Sequence, residues 1–177
     1  MKMNLQRFAG DSKKAVAGKK IVYLYRTFSK AATDDGWILA FTTENGRTIS
    51  SDSDSTATKD GSVVTPGTPE VEITTTSLMN ANDTRVEELE DAIEKNSLME
   101  IWEANLEKPG TGSNKYKGKY FQGYLSELEI NSNAEDQVEV SATFSINGTG
   151  VKGDVTVSQE TIDEAQYAFR DVAKTGA

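Results

Sequence analysis

Three short stretches of this chain carry residue types that do chemistry in other settings. Gly148-Thr149-Gly150-Val151-Lys152-Gly153 has the glycine spacing of a dinucleotide fingerprint. That chemistry needs a helix N-terminus directly after the glycines to meet a pyrophosphate, and the residues on both sides alternate as strands do. Asp52-Ser53-Asp54-Ser55-Thr56 begins like a calcium loop. Ala57, however, stands where the sharp turn takes glycine, and Val63 where a bidentate carboxylate belongs. A polar loop in which Asp and Ser bond to nearby backbone accounts for the same letters. Glu100 and Glu103 are the third stretch, because glycosidase chemistry needs two carboxylates converging on one cleft. Three apart on a strand, they point to opposite faces. Tyr116, Tyr120 and Tyr124, interleaved with Lys115, Lys117 and Lys119, offer rings for stacking on nucleic-acid bases. In an otherwise acidic body they read better as core and interface packing.

The chain contains neither histidine nor cysteine. The commonest general base and metal ligand is therefore missing, together with thiolate sites, disulfides and cysteine nucleophiles. No catalytic constellation remains, so the expectation is a protein that is not an enzyme and takes no cofactor or metal. What is left is a structural or binding role.

The elements that hold these residues fit one domain. A chain of 177 residues can bury roughly 70% of its unfolded surface around one core. No apolar run approaches 18 residues, so no membrane span is expected, and Met1–Gly10 is too poor in large apolar residues for a secretory signal. The net charge of −9 conceals a division. Residues 1 to 30 hold eight basic side chains against Asp11 alone, a net +7, which leaves 11 basic and 27 acidic residues, a net −16, for the remainder. Such a body repels nucleic acid, while its basic front end can pair with an acidic surface, including that of a second copy.

Residues 1–20 lack periodicity and read as a mobile basic arm. Ile21–Tyr25 and Trp37–Thr43 read as strands. Asn45-Gly46 has the composition of a type I′ turn and opens a polar stretch reaching about Glu70. Loops of that length are uncommon unless they serve a function, so the stretch reads as a projecting hairpin over 47–68 with its tip at Asp60-Gly61. Val71–Thr76 is a further strand. Asn82 or Asp83 caps a helix over 84–95, with Val86, Leu89 and Ile93 on one face and Glu87, Glu88, Glu90, Asp91 and Glu94 in water. Leu98–Leu106 is a strand, and Tyr120–Ile130 is a long one whose alternation slips near Gly123, as at a bulge. Val138, Val140, Ala142, Phe144 and Ile146 alternate with polar residues, and Asn147-Gly148 then turns the chain into Val151–Val157 as a hairpin. From Ser158, Ile162, Ala165, Phe169 and Val172 follow helical spacing over 158–177. The fold class is α+β, mainly β: an antiparallel sandwich or barrel of about seven strands over 21–157, with a flanking helix and a C-terminal helix.

Several segments in order resemble the major tail protein family of phages with long non-contractile tails. They are Lys59-Asp60-Gly61-Ser62-Val63-Val64-Thr65-Pro66-Gly67 leading into Val71-Glu72-Ile73, the acidic helix Glu87–Glu94, and Glu164-Ala165-Gln166-Tyr167-Ala168-Phe169-Arg170-Asp171. The opening Asn4-Leu5-Gln6-Arg7-Phe8-Ala9 also looks like the start of many phage structural proteins. The resemblance covers roughly residues 20 to 172. It implies a β-sandwich or barrel related to the tube proteins of contractile tails and type VI secretion. It also implies hexameric rings, closed edge to edge and stacked into a tube around a tape-measure protein, with tail-tip and tail-terminator proteins as further partners. DNA is then cargo that passes without binding, there is no membrane partner, and the protein resides in the virion tail after assembly in the host cytoplasm.

Within that picture Lys13, Lys14, Lys19 and Lys20 are the expected inter-subunit arm, and Lys59, Asp60 and Gly61 the ring-stacking hairpin. Glu72, Glu129 and Glu139, on strands with a polar face, are candidates for lining the lumen. The same strand faces placed on the tube exterior are the competing reading. A monomeric β-sandwich that binds carbohydrate or protein, as an adhesin does, is the alternative class.

Overall fold

The computed structural model describes residues 15–82 and 84–166. A 3-10 turn, Gly18–Lys20, leads into β1 (Ile21–Thr27), and a second, Phe28–Lys30, follows it. Then come β2 (Thr42–Thr58), β3 (Gly61–Leu78), α1 (Arg85–Glu94), β4 (Leu98–Pro109), β5 (Lys115–Asn131), β6 (Glu139–Ile146), β7 (Val151–Thr156) and α2 (Gln159–Gln166). The strands form one seven-stranded sheet in the order β1-β4-β5-β6-β3-β2, with β7 attached to β5, and every pairing is antiparallel.

The sheet curls because aromatic and branched side chains of alternate positions converge on one side. Tyr23, Tyr25, Met99, Ile101, Phe121, Leu125, Ala142, Phe144, Val71 and Ile73 share this core with Trp37 and Leu39 from the β1–β2 connection and Leu89 and Ala92 from α1. Arg47 on β2 reaches Glu103 on β4 across this concave side, at 2.6 Å, and the Tyr25 hydroxyl on β1 donates to Asn45 Oδ1 on β2 at 3.3 Å. The two terminal strands of the sheet therefore meet through side chains. Their backbones do not pair, so the sheet stops short of a closed barrel. On the convex side a smaller cluster, Leu24, Ala104, Leu106, Val155, Val157 and Ile162, sits under α2.

Several local expectations are corrected by longer-range pairing. Trp37–Thr43 is not one strand, and only Thr42 and Thr43 of it belong to β2. Trp37 makes a single bridge to Tyr25, Trp37 and Leu39 plug the core, and Phe41 at φ 51° breaks the extended backbone. Asn45-Gly46 is no turn either but lies inside β2, opposite Thr75 and Thr74. Asn147-Gly148 does not reverse the chain. β6 runs along β5 from Asn131 to Gly123, and β7 continues along the same edge from Tyr120 to Lys115, so residues 147–150 bulge out of one interrupted strand. The irregularity in β5 falls between Leu125 and Glu127, not at Gly123. Gly123 has a different cause: a Cβ there would collide with the Ser145 carbonyl of β6.

The helix register agrees with its apolar spacing, since Val86, Leu89 and Ala92 are buried. Its N-terminus departs from expectation. Thr84 stands at the cap without a side-chain bond, the Asn82 N–H is bonded to Asn80 Oδ1, and Asp83 lies outside the described residues. Glu88 is also not on the solvated face, its side chain being only 10% exposed. It accepts from Lys30 Nζ at 3.2 Å, Arg85 Nη1 at 3.1 Å and the Thr27 hydroxyl at 3.1 Å, which ties α1 to the end of β1. Burial alone would raise the pKa of this carboxyl, but the bonds from Lys30, Thr27 and Arg85 outweigh burial and hold it below the ordinary glutamate value. At α2, the Ser158 Oγ accepts from the Thr161 N–H at 3.1 Å as an N-cap and Ile162 is buried. Phe169 and Val172 lie outside the described residues.

Candidate functional site

The motifs that suggested chemistry have other uses in the fold. Glu103 on the concave side accepts from Arg47 Nε at 2.6 Å and from the Tyr23 hydroxyl at 2.7 Å. Glu100 on the convex side accepts from Arg26 Nε at 2.8 Å and from the Tyr120 hydroxyl at 2.7 Å, and Arg26 lies 5.0 Å over the Trp102 ring. Each glutamate is thus fixed by one arginine and one tyrosine on its own face. Burial, with the bond to Glu103 added, raises the pKa of Tyr23 far above the ordinary 10.0. Burial raises that of Tyr25, and burial with the Glu100 bond raises that of Tyr120. Of the three tyrosines on β5, Tyr116 packs on the convex cluster, Tyr120 lies 5.5 Å from Trp102 and Tyr124 is exposed. The Gly148–Gly153 stretch runs into β7 rather than a helix, and Asp52–Thr56 is extended within β2.

Among the described residues, nothing covers the convex face of β2, β3, β6 and the second half of β5. Strand register sets its rows. Thr48, Glu72, Ser145 and Tyr124 lie side by side. Next come Gly46, Thr74, Thr143 and Glu127, then Glu44, Thr76, Ser141 and Glu129, and last Leu78, Glu139 and Asn131. The three candidate lumen residues, Glu72, Glu129 and Glu139, are therefore brought onto one face. Glu44 and Glu127 join them there and were missed. Glu127 was legible from its two-residue spacing to Glu129, whereas Glu44 was hidden by reading Asn45-Gly46 as a turn.

All five carboxylates are exposed, and none of these rows contains Lys or Arg. Between the glutamates runs a ladder of Ser and Thr, with Thr76 and Ser141 hydroxyls 3.2 Å apart. With strands about 4.8 Å apart and about 3.3 Å per residue along each, every one of these carboxylates has another within about two Debye lengths at physiological salt, about 8 Å each, and together they sum to a negative field.

Past Ile49 and Glu70 the hairpin of β2 and β3 leaves the body of the sheet, and both strands are exposed from there to the tip. Thr58 pairs with Gly61, so Lys59-Asp60 forms the turn and Gly61, at φ 136°, occupies a backbone region that glycine adopts without penalty. The expected tip residues Lys59, Asp60 and Gly61 are together at the end of this ribbon. β3 carries a bulge, with Gly67 and Thr68 opposite the single residue Asp52 of β2, and Gly67 faces Asp52 so closely that a Cβ would lie 2.6 Å from the Asp52 carbonyl oxygen. Lys19 and Lys20 end the turn before β1, away from the ribbon in the chain, and Lys13 and Lys14 lie outside the described residues.

The prominent surfaces among the described residues are a broad sheet face, the sheet edges and a projecting ribbon. A family model described as phage tail tube protein matches residues 15–152, and the chain belongs to this family of phage tail proteins that form the tail tube. It is 31% identical over 148 residues to a tail protein of Staphylococcus phage phiMR25, covering 81% of this chain and 77% of that one. The fold is similar to the SPP1 tail tube structure, with a TM-score of 0.71 at 18% identity over 92% of this chain and 93% of that one. It is also similar to a tail subunit of a gene transfer agent particle refined with C6 symmetry, with a TM-score of 0.59 at 8% identity over 77% and 98% of the two chains.

Proposed function

We propose that copies of this chain close into hexameric rings that stack into the tail tube, with the acidic Ser/Thr face lining the bore through which DNA is delivered. The observation that carries this reading is the convex face of β2, β3, β6 and the second half of β5, uncovered and free of Lys and Arg among the described residues. An outward surface has no need to exclude positive charge, whereas a bore that must release DNA does, because basic groups would hold phosphates by counterion release. Five carboxylates per copy make thirty in a ring of six. At the two ends of the sheet β1, apart from Tyr25 bonded to Trp37, and β2 have no strand on their outer edges among the described residues, which suits edge-to-edge closure, and head-to-tail stacking stays open and yields a filament.

On this reading the tape-measure protein occupies the bore before DNA does, and tail-tip and tail-terminator proteins bind the two tube ends. The assembly takes place in the host cytoplasm. The ribbon ending in Lys59, Asp60 and Gly61 joins stacked rings, and Lys13, Lys14, Lys19 and Lys20 dock on the acidic body of a neighbour. Among the described residues, the exposed aromatics Phe28, Phe41 and Tyr124 sit on three different elements rather than on one carbohydrate-binding face. Concentrating or seeding the purified protein tests the reading: rings and tubes in negative stain, with light scattering rising with concentration, are expected. A monomer at all concentrations and with seeds would refute it.

A further inference from the structure

At the end of the sheet opposite the ribbon tip lies an apolar groove of about 640 Å³, lined by Phe41, Leu78, Met79, Ala81, Asp136, Gln137 and Val138. Its floor is backbone. The Leu78 N–H donates to the Phe41 carbonyl at 3.2 Å and the Met79 N–H to the Val138 carbonyl at 2.8 Å. Phe41 is 67% exposed and held at φ 51°, a backbone region costly for a bulky side chain. A strained, exposed phenylalanine beside a half-exposed Met79 is poorly explained by the stability of a single copy.

The ribbon tip presents the complementary surface. Val63 and Val64 are 56% and 61% exposed and, as consecutive strand residues, project from its two faces. Both surfaces belong to the same strand pair. From Val64 to Leu78, β3 spans about 45 Å at roughly 3.3 Å per residue, so a copy cannot fill its own groove with its own tip. A second copy, displaced along the strand direction, can. A groove takes side chains from both faces of a ribbon, which a flat surface does not, and Lys59 at the turn brings a cation to the acidic rim supplied by Asp136.

We infer that the Phe41–Met79–Val138 groove of one copy receives the Val63-Val64 ribbon tip of the next. This rests on the stacking role given to the ribbon and supplies its receptor. The contact is heterologous, so it propagates without closing.

The absence of native cysteine makes the test clean. Met79→Cys is combined in one chain with Val63→Cys or with Val64→Cys, tubes are grown, and disulfide formation is induced. An open ladder of covalent multimers is expected with at least one combination, against monomers from each single variant, because a heterologous contact brings unlike sites together. Normal tubes with no ladder from either combination would overturn the groove as receptor while leaving the stacking role intact. Normal tube growth after shortening residues 53–64 to a tight turn would instead remove the stacking role itself. Phe41→Gly gives a second readout. Relief of the positive φ should leave the thermal midpoint unchanged or higher, while elongation slows at least about tenfold, as for loss of an interface anchor. Unchanged elongation in that variant would also count against the groove.

Discussion

Tyr25 on β1 and Phe144 on β6 stack with ring centroids 5.2 Å apart, although β4 and β5 separate their strands in the sheet. A flat sheet would hold them at least about 14 Å apart across three strand spacings of about 4.8 Å, so this one pair records how far the sheet is rolled. The roll matters for function because it gives the molecule an inner side for its core and an outer side free to line something else.

Phe144→Ala should therefore be among the most damaging core changes. The residue is fully buried, and truncating a buried phenylalanine costs about 3–5 kcal/mol. Urea denaturation at equilibrium measures the loss.

The Arg47–Glu103 pair spans the concave side between β2 and β4, with both side chains about one-fifth exposed. Glu103→Gln and Arg47→Met should each destabilise, and their double-mutant cycle should show a coupling of about 1–3 kcal/mol. Additive effects would mean that the pair does not help hold the rolled sheet.

Acid should loosen α1 from β1. The Glu88 carboxyl is depressed below its ordinary value of 4.5, so its contribution is present above that pH and is lost as pH falls through the folded-state value. Glu88→Gln should lower the thermal midpoint at pH 7 and flatten its decline below pH 4.5. The reverse sign holds for tyrosine. Tyr23, Tyr25 and Tyr120 are raised above 10.0, so the stability they lend is complete below pH 10 and declines above it. In a spectrophotometric titration Tyr23 and Tyr25 should ionise only as the protein unfolds and Tyr120 later than an ordinary tyrosine, which replacing each with Phe checks individually.

Much of this was legible from local pattern. The alternation of Val138–Ile146 fixed which side chains of β6 face the core, the length and polarity of the stretch before Glu70 foretold a projecting hairpin, and the spacing of Glu100 and Glu103 separated them onto two faces. What was illegible depends on partners far along the chain. Asn147-Gly148 looks like a hairpin turn because the signal is local, but the edge of β5 that β7 continues along lies some thirty residues earlier. Nothing near Glu100 or Glu103 discloses that Arg26 and Arg47, 74 and 56 residues away, will neutralise them.

The basic arm gives a salt-dependent prediction. Replacing Lys13, Lys14, Lys19 and Lys20 with Glu should leave the unfolding free energy within about 0.5 kcal/mol of the parent and slow tube growth. The parent's growth should itself weaken with salt. Equal growth of parent and variant at low and high salt would remove the arm from assembly.

The acidic face carries the central claim. Changing Glu72, Glu129 and Glu139 to Lys alters each copy by six charges, and a ring of six by thirty-six. Virions carrying all three changes should assemble tails but eject DNA slowly, with a rate that recovers as salt rises. Normal ejection would place these residues outside.

The most direct measurement is a helical cryo-EM reconstruction of tubes grown from the purified protein. The Glu44, Glu72, Glu127, Glu129 and Glu139 face should line the bore, with the Ser/Thr ladder between the carboxylates and no lysine or arginine on the wall. A tube in which that face points to solvent or lies buried between subunits would contradict the account.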